Sequence, residues 1–193
     1  MAKVESTYFN MTLTLVVITL ITSTALGFVY ELTKEPIATA KLAKQKRAID
    51  AVVGEYDNNP LADQYKIGTA SLKDSLEVYP AILSGEKQGL AIKTFSPKGY
   101  GGKVWIMVGF LPDGSIKNIS VLEHKETPGL GTKMSEPKFI QQFIGKHPDQ
   151  FNLKVKKDGG EVDALSGATI TTRAFSAAVQ TAHDAINKGG EHE

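Results

Sequence analysis

The sequence predicts an α+β chain: one N-terminal transmembrane helix, then a domain in which an antiparallel sheet is flanked by helices. Three observations carry this. Ser6 to Tyr30 is a run of 25 residues without a charge, bounded by Glu5 and Glu31. Lys103 to Phe110 and Ile116 to Leu122 are apolar runs on either side of Pro112-Asp113-Gly114, which is a hairpin pattern. Towards the C-terminus, Phe175, Ala178, Val179, Ala182 and Ile186 fall on one face of a 3.6-period helix. The expected divisions are 1–31 for the N-terminal tail and transmembrane helix, 32–88 for a stalk helix and connecting region, and 89–193 for the folded domain.

The first element is the uncharged run. About 20 apolar residues span a bilayer as a helix, so its length suffices. Its Thr residues weaken the hydropathy, but a Thr hydroxyl can bond back to its own helix. Tyr8, Phe9 and Tyr30 lie at the ends, where aromatic residues favour the membrane interface. Only Lys3 precedes the run with positive charge, and Ser23-Thr24-Ala25 is a poor cleavage site, so an uncleaved anchor is favoured over a signal peptide. Thr33 to Val53 then reads as a helix leaving the membrane, with Pro36 in its first turn and Gly54 as its end. Ala38, Leu42, Ile49, Val52 and Val53 form its apolar stripe. Residues 54 to 88 have mixed polarity and support only short elements.

Strands begin after Gly89, with Leu90 to Phe95 as the first. A loop with Pro97, Gly99, Gly101 and Gly102 leads to the hairpin. In its first arm Val104, Ile106, Val108 and Phe110 share one face, and Trp105 and Met107 the other, so both faces are expected to be covered. Ser135-Glu136-Pro137 opens a helix with a capping Ser. Phe139, Ile140, Phe143 and Ile144 form its buried face, and Gly145 closes it. Phe151, Leu153 and Val155 alternate as a strand. The final helix takes Thr171 or Thr172 as its N-cap and ends near Gly189, before a frayed tail.

Composition removes several chemistries. The 193 residues include 22 basic and 21 acidic side chains, for a formal charge of +1, and no basic tract is interleaved with aromatics. Nucleic acid is therefore not an expected partner. There is no Cys, which excludes structural disulfides, Cys-ligated iron–sulfur clusters, c-type haem attachment and thiol-linked flavin. Ser166 lacks the Gly-x-Ser-x-Gly surroundings of a hydrolase nucleophile, and neither a Walker-type phosphate loop nor a dinucleotide fingerprint is present. His124, His147, His183 and His192 show no metal-ligand spacing, so no metal is expected and each His reads as a surface or packing residue.

Two stretches carry the remaining chemistry. Glu126-Thr127-Pro128-Gly129-Leu130-Gly131 places two Gly and one Pro within four residues, a tight loop whose backbone a ligand can approach. Asp163-Ala164-Leu165-Ser166-Gly167-Ala168-Thr169 is a small-residue turn that opens the last helix, and a helix N-terminus is a ready phosphate site. Read alone, the first is a strand-to-helix turn and the second a capped helix start. Ser166, Thr169, Thr171 and Thr172 are all hydroxyls, and composition does not choose among them.

Asp-x-x-Ser-Gly-Ala-Thr resembles the flavinylation motif of the FMN-binding domain shared by the Rnf complex G subunit and the Na+-translocating NADH:quinone reductase C subunit. Glu-Thr-Pro-Gly-Leu-Gly resembles the second motif of the same domain. The resemblance implies FMN joined through its phosphate to Thr169, with Ser166, Gly167 and Ala168 around the attachment. It also implies that Glu126, Thr127, Leu130 and Gly131 lie near the ring or ribityl chain. An Rnf-type electron-carrier protein follows, with covalent FMN, no catalytic residue or independent turnover of its own, and other membrane subunits, a flavin transferase and the lipid bilayer as partners. The resemblance places a single-pass chain in the cell inner (cytoplasmic) membrane with the FMN domain on the extracytoplasmic side. Simple charge counting opposes that side: Lys3 precedes the span, whereas Lys34, Lys41, Lys44, Lys46 and Arg47 follow it. Alternatives are a quinone-reductase C subunit, a membrane-anchored module without redox chemistry, and a free-standing flavin reductase.

Overall fold

The computed structural model describes residues 7–69 and 74–189. Lys3 and the tail after Gly189 lie outside the described residues. The chain divides into two compact units, Met1–Ala43 and Lys44–Glu193.

The first helix, α1 (Tyr8–Val53), joins what the sequence suggested as two helices. Pro36 lies inside it rather than in a first turn, because the turns on both sides propagate past the one backbone bond that Pro cannot donate. Its N-terminal part leaves Leu13, Leu15, Ile18, Leu20, Leu26 and Phe28 exposed. By length and composition it is able to cross a membrane. The hydroxyls there turn inward to the helix: Thr14 Oγ1 donates to the Asn10 carbonyl at 2.7 Å and Thr24 Oγ1 to Leu20 at 2.7 Å. That removes their polarity from the surface that would meet lipid. Of the expected stalk stripe only Ile49, Val52 and Val53 are buried, together with Ala48, whereas Leu42 is exposed.

In the second unit, β1 (Tyr65–Ile67), β2 (Leu76–Leu83), β3 (Glu86–Ser96), β4 (Val104–Phe110) and β5 (Ile116–Glu123) form an antiparallel meander in sequence order. The sheet therefore starts before residue 89, and that expected boundary falls within β3. In register, Phe95 faces Trp105 and Ile92 faces Val108. The final helix, α3 (Thr169–Gly189), covers one face of the sheet. Val104, Ile106, Val108 and Phe110 meet Phe175, Ala178, Val179 and Ala182 there. Phe139, Phe143 and Phe175 close this core with ring centroids 5.1–5.5 Å apart. Thr94 Oγ1 donates to the Ala178 carbonyl at 3.2 Å, so a buried hydroxyl on the sheet is satisfied by the helix.

The last turns of α1 cover the other face, where Ile49, Val52 and Val53 pack on Tyr79, Ala91 and Met107. Gly109 makes this approach possible: a Cβ there would lie 2.1 Å from the Val52 carbonyl oxygen. β5 caps the helix. Lys117 Nζ donates to the Val53 carbonyl at 2.6 Å and Asn118 Nδ2 to Ala51 at 2.9 Å, satisfying carbonyls that a helix end leaves free.

Two expected elements differ. The helix after Ser135 is a single turn, α2 (Pro137–Ile140), preceded by a 3-10 turn at Gly131–Ser135. Glu136, not Ser135, occupies the N-cap position, and Ile144 is exposed. The reason is the tie to β5: Gly145 N–H donates to the Ile116 carbonyl at 2.7 Å, and Ile116 N–H to Lys146 at 2.9 Å. That pairing takes the chain off a helical path. Phe151 to Val155 is not a strand; Leu153 and Val155 point inward, and Val155 forms one parallel bridge with Val162. The chain folds back too tightly for a longer ladder, since a Cβ on Gly160 would lie 1.9 Å from the Lys154 carbonyl oxygen.

Candidate functional site

The two motif stretches converge on one cavity at the start of α3. β5 leads into the Glu126 loop, and the turn at Ser166-Gly167 delivers the chain into α3. Gly167 adopts φ +73°, the left-handed region that suits Gly. The Leu130 Cδ2 atom lies 3.3 Å from where a Cβ of Gly167 would stand, so the loops meet side chain on backbone. The cavity measures 490 Å³, within the range of about 300–1,000 Å³ for small-molecule and cofactor sites. Glu126, Thr127, Leu130, Gly131, Gly167, Ala168 and Thr169 line it, as do Tyr100, Ile170 and Thr171.

Glu126 is the joint of this site. It is buried, and both carboxylate oxygens are occupied by the protein. Oε1 accepts from the Gly101 N–H at 2.9 Å, and Oε2 accepts a short bond from Thr171 Oγ1. One side chain thus links the 99–102 glycine loop, its own loop and the first turn of α3. Gly131 is required beside it, because a Cβ there would stand 2.7 Å from Glu126 Cβ.

α3 begins at Thr169, earlier than a Thr171 or Thr172 cap would place it. Thr171 and Thr172 are buried within its first turn. Thr172 Oγ1 accepts from the Leu165 N–H at 3.0 Å and donates to the Ala168 carbonyl at 3.1 Å, which pins the turn before the helix. Ser166 is exposed in that turn and does not line the cavity. Sequence reasoning missed Tyr100 and Ile170, and named Thr171 only as a cap and one of four candidate hydroxyls. Tyr100 lies within the 99–102 glycine loop and Ile170 directly follows Thr169, and that adjacency is the only sequence signal for them.

Residues 99–184 match the FMN-binding domain family, and residues 1–52 match the RnfG N-terminal region. The G subunit of the ion-translocating oxidoreductase complex of Vibrio cholerae serotype O1 (strain M66-2) is 33% identical over 188 residues, covering 91% of this chain and 88% of the relative. The G subunit of the same complex in Yersinia pestis is 37% identical over 163 residues, covering 80% and 78%. The crystal structure of the C subunit of Na+-translocating NADH-quinone reductase from Parabacteroides distasonis has the same fold, with a TM-score of 0.50 at 23% identity, covering 69% of this chain and 70% of that one. The chain belongs to the G-subunit family of ion-translocating oxidoreductase complexes.

In this member of the G-subunit family the residues present fit an FMN phosphate. The first N–H groups of a helix lack partners within it and carry the positive end of the dipole. α3 has 21 residues and no acidic side chain in its own first turn, and the Glu126 carboxylate beside Thr171 has both oxygens occupied by protein donors. Thr169 stands at that first position, half-buried. The apolar rim of Leu130, Ile170 and Tyr100, each 43–71% exposed, fits a planar ring better than a polar substrate.

A second polar cluster lies outside this cavity. His147 and His183, set aside by their spacing, and Asp149 offer ligand atoms that all lie within 4.8 Å of one another. Burial pushes the His183 imidazole below its usual pKa, with Asp149 opposing.

Proposed function

We propose that this chain is the electron-carrying subunit of a membrane-bound Rnf-type ion-translocating complex, holding FMN through a phosphoester to Thr169. One observation carries the reading: Thr169 is the first residue of a 21-residue helix and lines the cavity where both motif loops meet. Attachment exchanges the Oγ1–H bond of Thr169 for an Oγ1–P bond: a flavin transferase draws the FMN phosphoryl group from a flavin-bearing phosphoanhydride, whose P–O–P bond breaks, and the other phosphate leaves with the Thr169 proton passing to solvent. The linkage leaves the ring free. FMN supplies one- and two-electron transfer.

The protein's part is to hold and shield. The α3 N–H groups and dipole stabilise the phosphate charge. Gly167 and Gly131 keep side chains off the approach. Leu130, Ile170 and Tyr100, which line the cavity, would shield a bound ring from water. Glu126 acts through Gly101 and Thr171, by fixing the three segments that form the cavity, rather than as a direct ligand. Electrons pass between membrane partner subunits, and the chain turns over no soluble substrate itself. The domain stands on the extracytoplasmic side, where a covalent link keeps the cofactor from being lost.

The experiment is co-expression with a flavin transferase, followed by denaturation, in-gel flavin fluorescence and peptide mass spectrometry. The expected adduct is on Thr169, and Thr169→Ala abolishes it. An adduct on Thr171, or none with an active transferase, overturns the assignment. The side is tested separately. Because the chain has no Cys, Lys157→Cys gives a unique thiol. A membrane-impermeant maleimide added to intact cells labels it only if the domain is outside.

A further inference from the structure

We propose that His147, Asp149 and His183 form a binding site for a divalent transition cation of the zinc type. The three converge from separate parts of the fold: His147 and Asp149 from the turn after α2, His183 from the C-terminal half of α3. His147 Nδ1 lies 3.7 Å from Asp149 Oδ2, and His183 Nε2 lies 3.8 Å from Asp149 Oδ1. Tetrahedral zinc with bonds of about 2.0–2.2 Å holds its ligand atoms about 3.3 Å apart. The two imidazole–carboxylate distances exceed that by about half an ångström, and the ligand atoms, all within 4.8 Å of one another, draw together on binding.

The hydrogen bonds already set the tautomer a metal needs. His147 Nε2 contacts the Asp113 carbonyl at 3.0 Å. A carbonyl only accepts, so Nε2 carries the proton and Nδ1 has the lone pair. An imidazole that donates its far N–H to a backbone carbonyl while its other nitrogen faces the metal is the usual arrangement around a bound cation. The competing contact is weak: the Asp149 N–H reaches Nδ1 at 3.3 Å. The position of His147 is fixed, since its carbonyl accepts from Gln150 and Phe151 N–H at 2.9 Å each. The Asp113 turn closes directly on the ring, where a Cβ on Gly114 would stand 2.8 Å from Nε2.

His183 is the second, independent sign. It is 2% exposed, and its Nδ1 has no hydrogen-bond partner. Its Nε2 has only a long 3.4 Å contact with the Asn187 amide, and the Asp149 oxygen at 3.8 Å is beyond hydrogen-bond reach. A buried imidazole without one good partner calls for a missing one. A cation supplies that partner at Nε2, in place of the long Asn187 contact; Nδ1 then carries the proton and keeps no partner. The two rings lie nearly perpendicular, at 82° with centroids 5.6 Å apart, so they bring their nitrogens together without stacking. The Asp149 side chain is 62% exposed, which leaves an entry path and a fourth position for water.

Two imidazoles and one carboxylate select against calcium and magnesium, which take oxygen ligands. They suit zinc, with nickel and copper as competitors. The site is separate from the flavin cavity: His183 is 14 residues along α3 from Thr169, or about 21 Å. The cation would clamp the 147–149 turn, and through it the Asp113 turn, to the core helix.

The test is equilibrium dialysis of the full chain in detergent micelles against zinc chloride, with thermal unfolding in parallel. Wild type takes up one zinc per chain and its Tm rises. His147→Gln and Asp149→Asn, both on a surface turn, each weaken zinc binding at least tenfold and lose the Tm rise. His183→Gln does the same if it folds; the other two variants decide the matter if it does not. Cobalt in place of zinc gives the intense visible absorption of a tetrahedral site in wild type alone. No bound zinc in wild type, or unchanged zinc affinity in either turn variant, overturns the site.

Discussion

At the scale of the residue, the cavity depends on Glu126 more than on the other residues that line it. Its two oxygens satisfy Gly101 N–H and Thr171 Oγ1, so Glu126→Ala strands two donors. The expected loss is roughly 2–3 kcal/mol in a denaturant melt. Flavin incorporation should fall too, although Thr169 is untouched. Gly131→Ala drives a Cβ to 2.7 Å from Glu126 Cβ, and overpacking of this kind costs about 1–3 kcal/mol. A melt that matches wild type for either variant would remove Glu126 from the centre of the site. The sequence made the loop residues legible because Gly, Pro and hydroxyls sit at fixed offsets. It could not show that Glu126 turns into the protein, since one carboxylate reads the same whether it meets a ligand or a backbone N–H.

At the scale of the element, legibility followed how each strand is covered. β4 was readable because Val104, Ile106, Val108 and Phe110 share one face in unbroken alternation. β2 was not. Val78 and Tyr79 are both buried because both faces of the sheet are covered, and Pro80 and a register shift at Ala81/Ile82 break the period. Pro80 is tolerated because β1 pairs only as far as Val78, so no neighbour on that side needs its N–H. Within β2 and β3, Glu77 faces Lys93, with Nζ and Oε2 2.8 Å apart. Burial works to raise the Glu77 pKa, but Lys93 and the Tyr79 hydroxyl outweigh it and hold the carboxyl below its usual value. A folded pKa below the unfolded one adds stability above the ordinary Glu range, and the gain is lost as pH falls through the folded value. Glu77→Gln should therefore cost up to about 1 kcal/mol at pH 7, a figure already reduced for solvent exposure. The difference from wild type should shrink in urea melts below about pH 4. A pH-independent difference would mean that packing, not charge, links the two strands.

At the scale of the whole molecule, the question is where the folded domain begins. The strand pattern beginning at Gly89 suggested residue 89, but the sheet draws in β1 and β2, and its second face is closed by the last turns of α1. Ile49, Val52 and Val53 are each no more than 1% exposed. Burying one such side chain contributes about 1.5–3 kcal/mol, so the three together rival the roughly 5–15 kcal/mol by which whole domains are stable. A chain starting at Lys44 keeps this cluster, together with the Lys117 and Asn118 caps on α1, and omits the exposed apolar span. It is expected to stay in solution and unfold cooperatively. A chain starting at Gly54 bares Tyr79, Ala91 and Met107 on one sheet face. It is expected to aggregate, or to lose tens of degrees in Tm, even though it keeps every residue of the flavin cavity. Circular dichroism melts and size-exclusion chromatography of the two chains decide this. Equal stability would make the end of α1 a mere tether. Unequal stability would mean that the helix carrying the apolar span also completes the domain, so that anchor and cofactor domain share one continuous element.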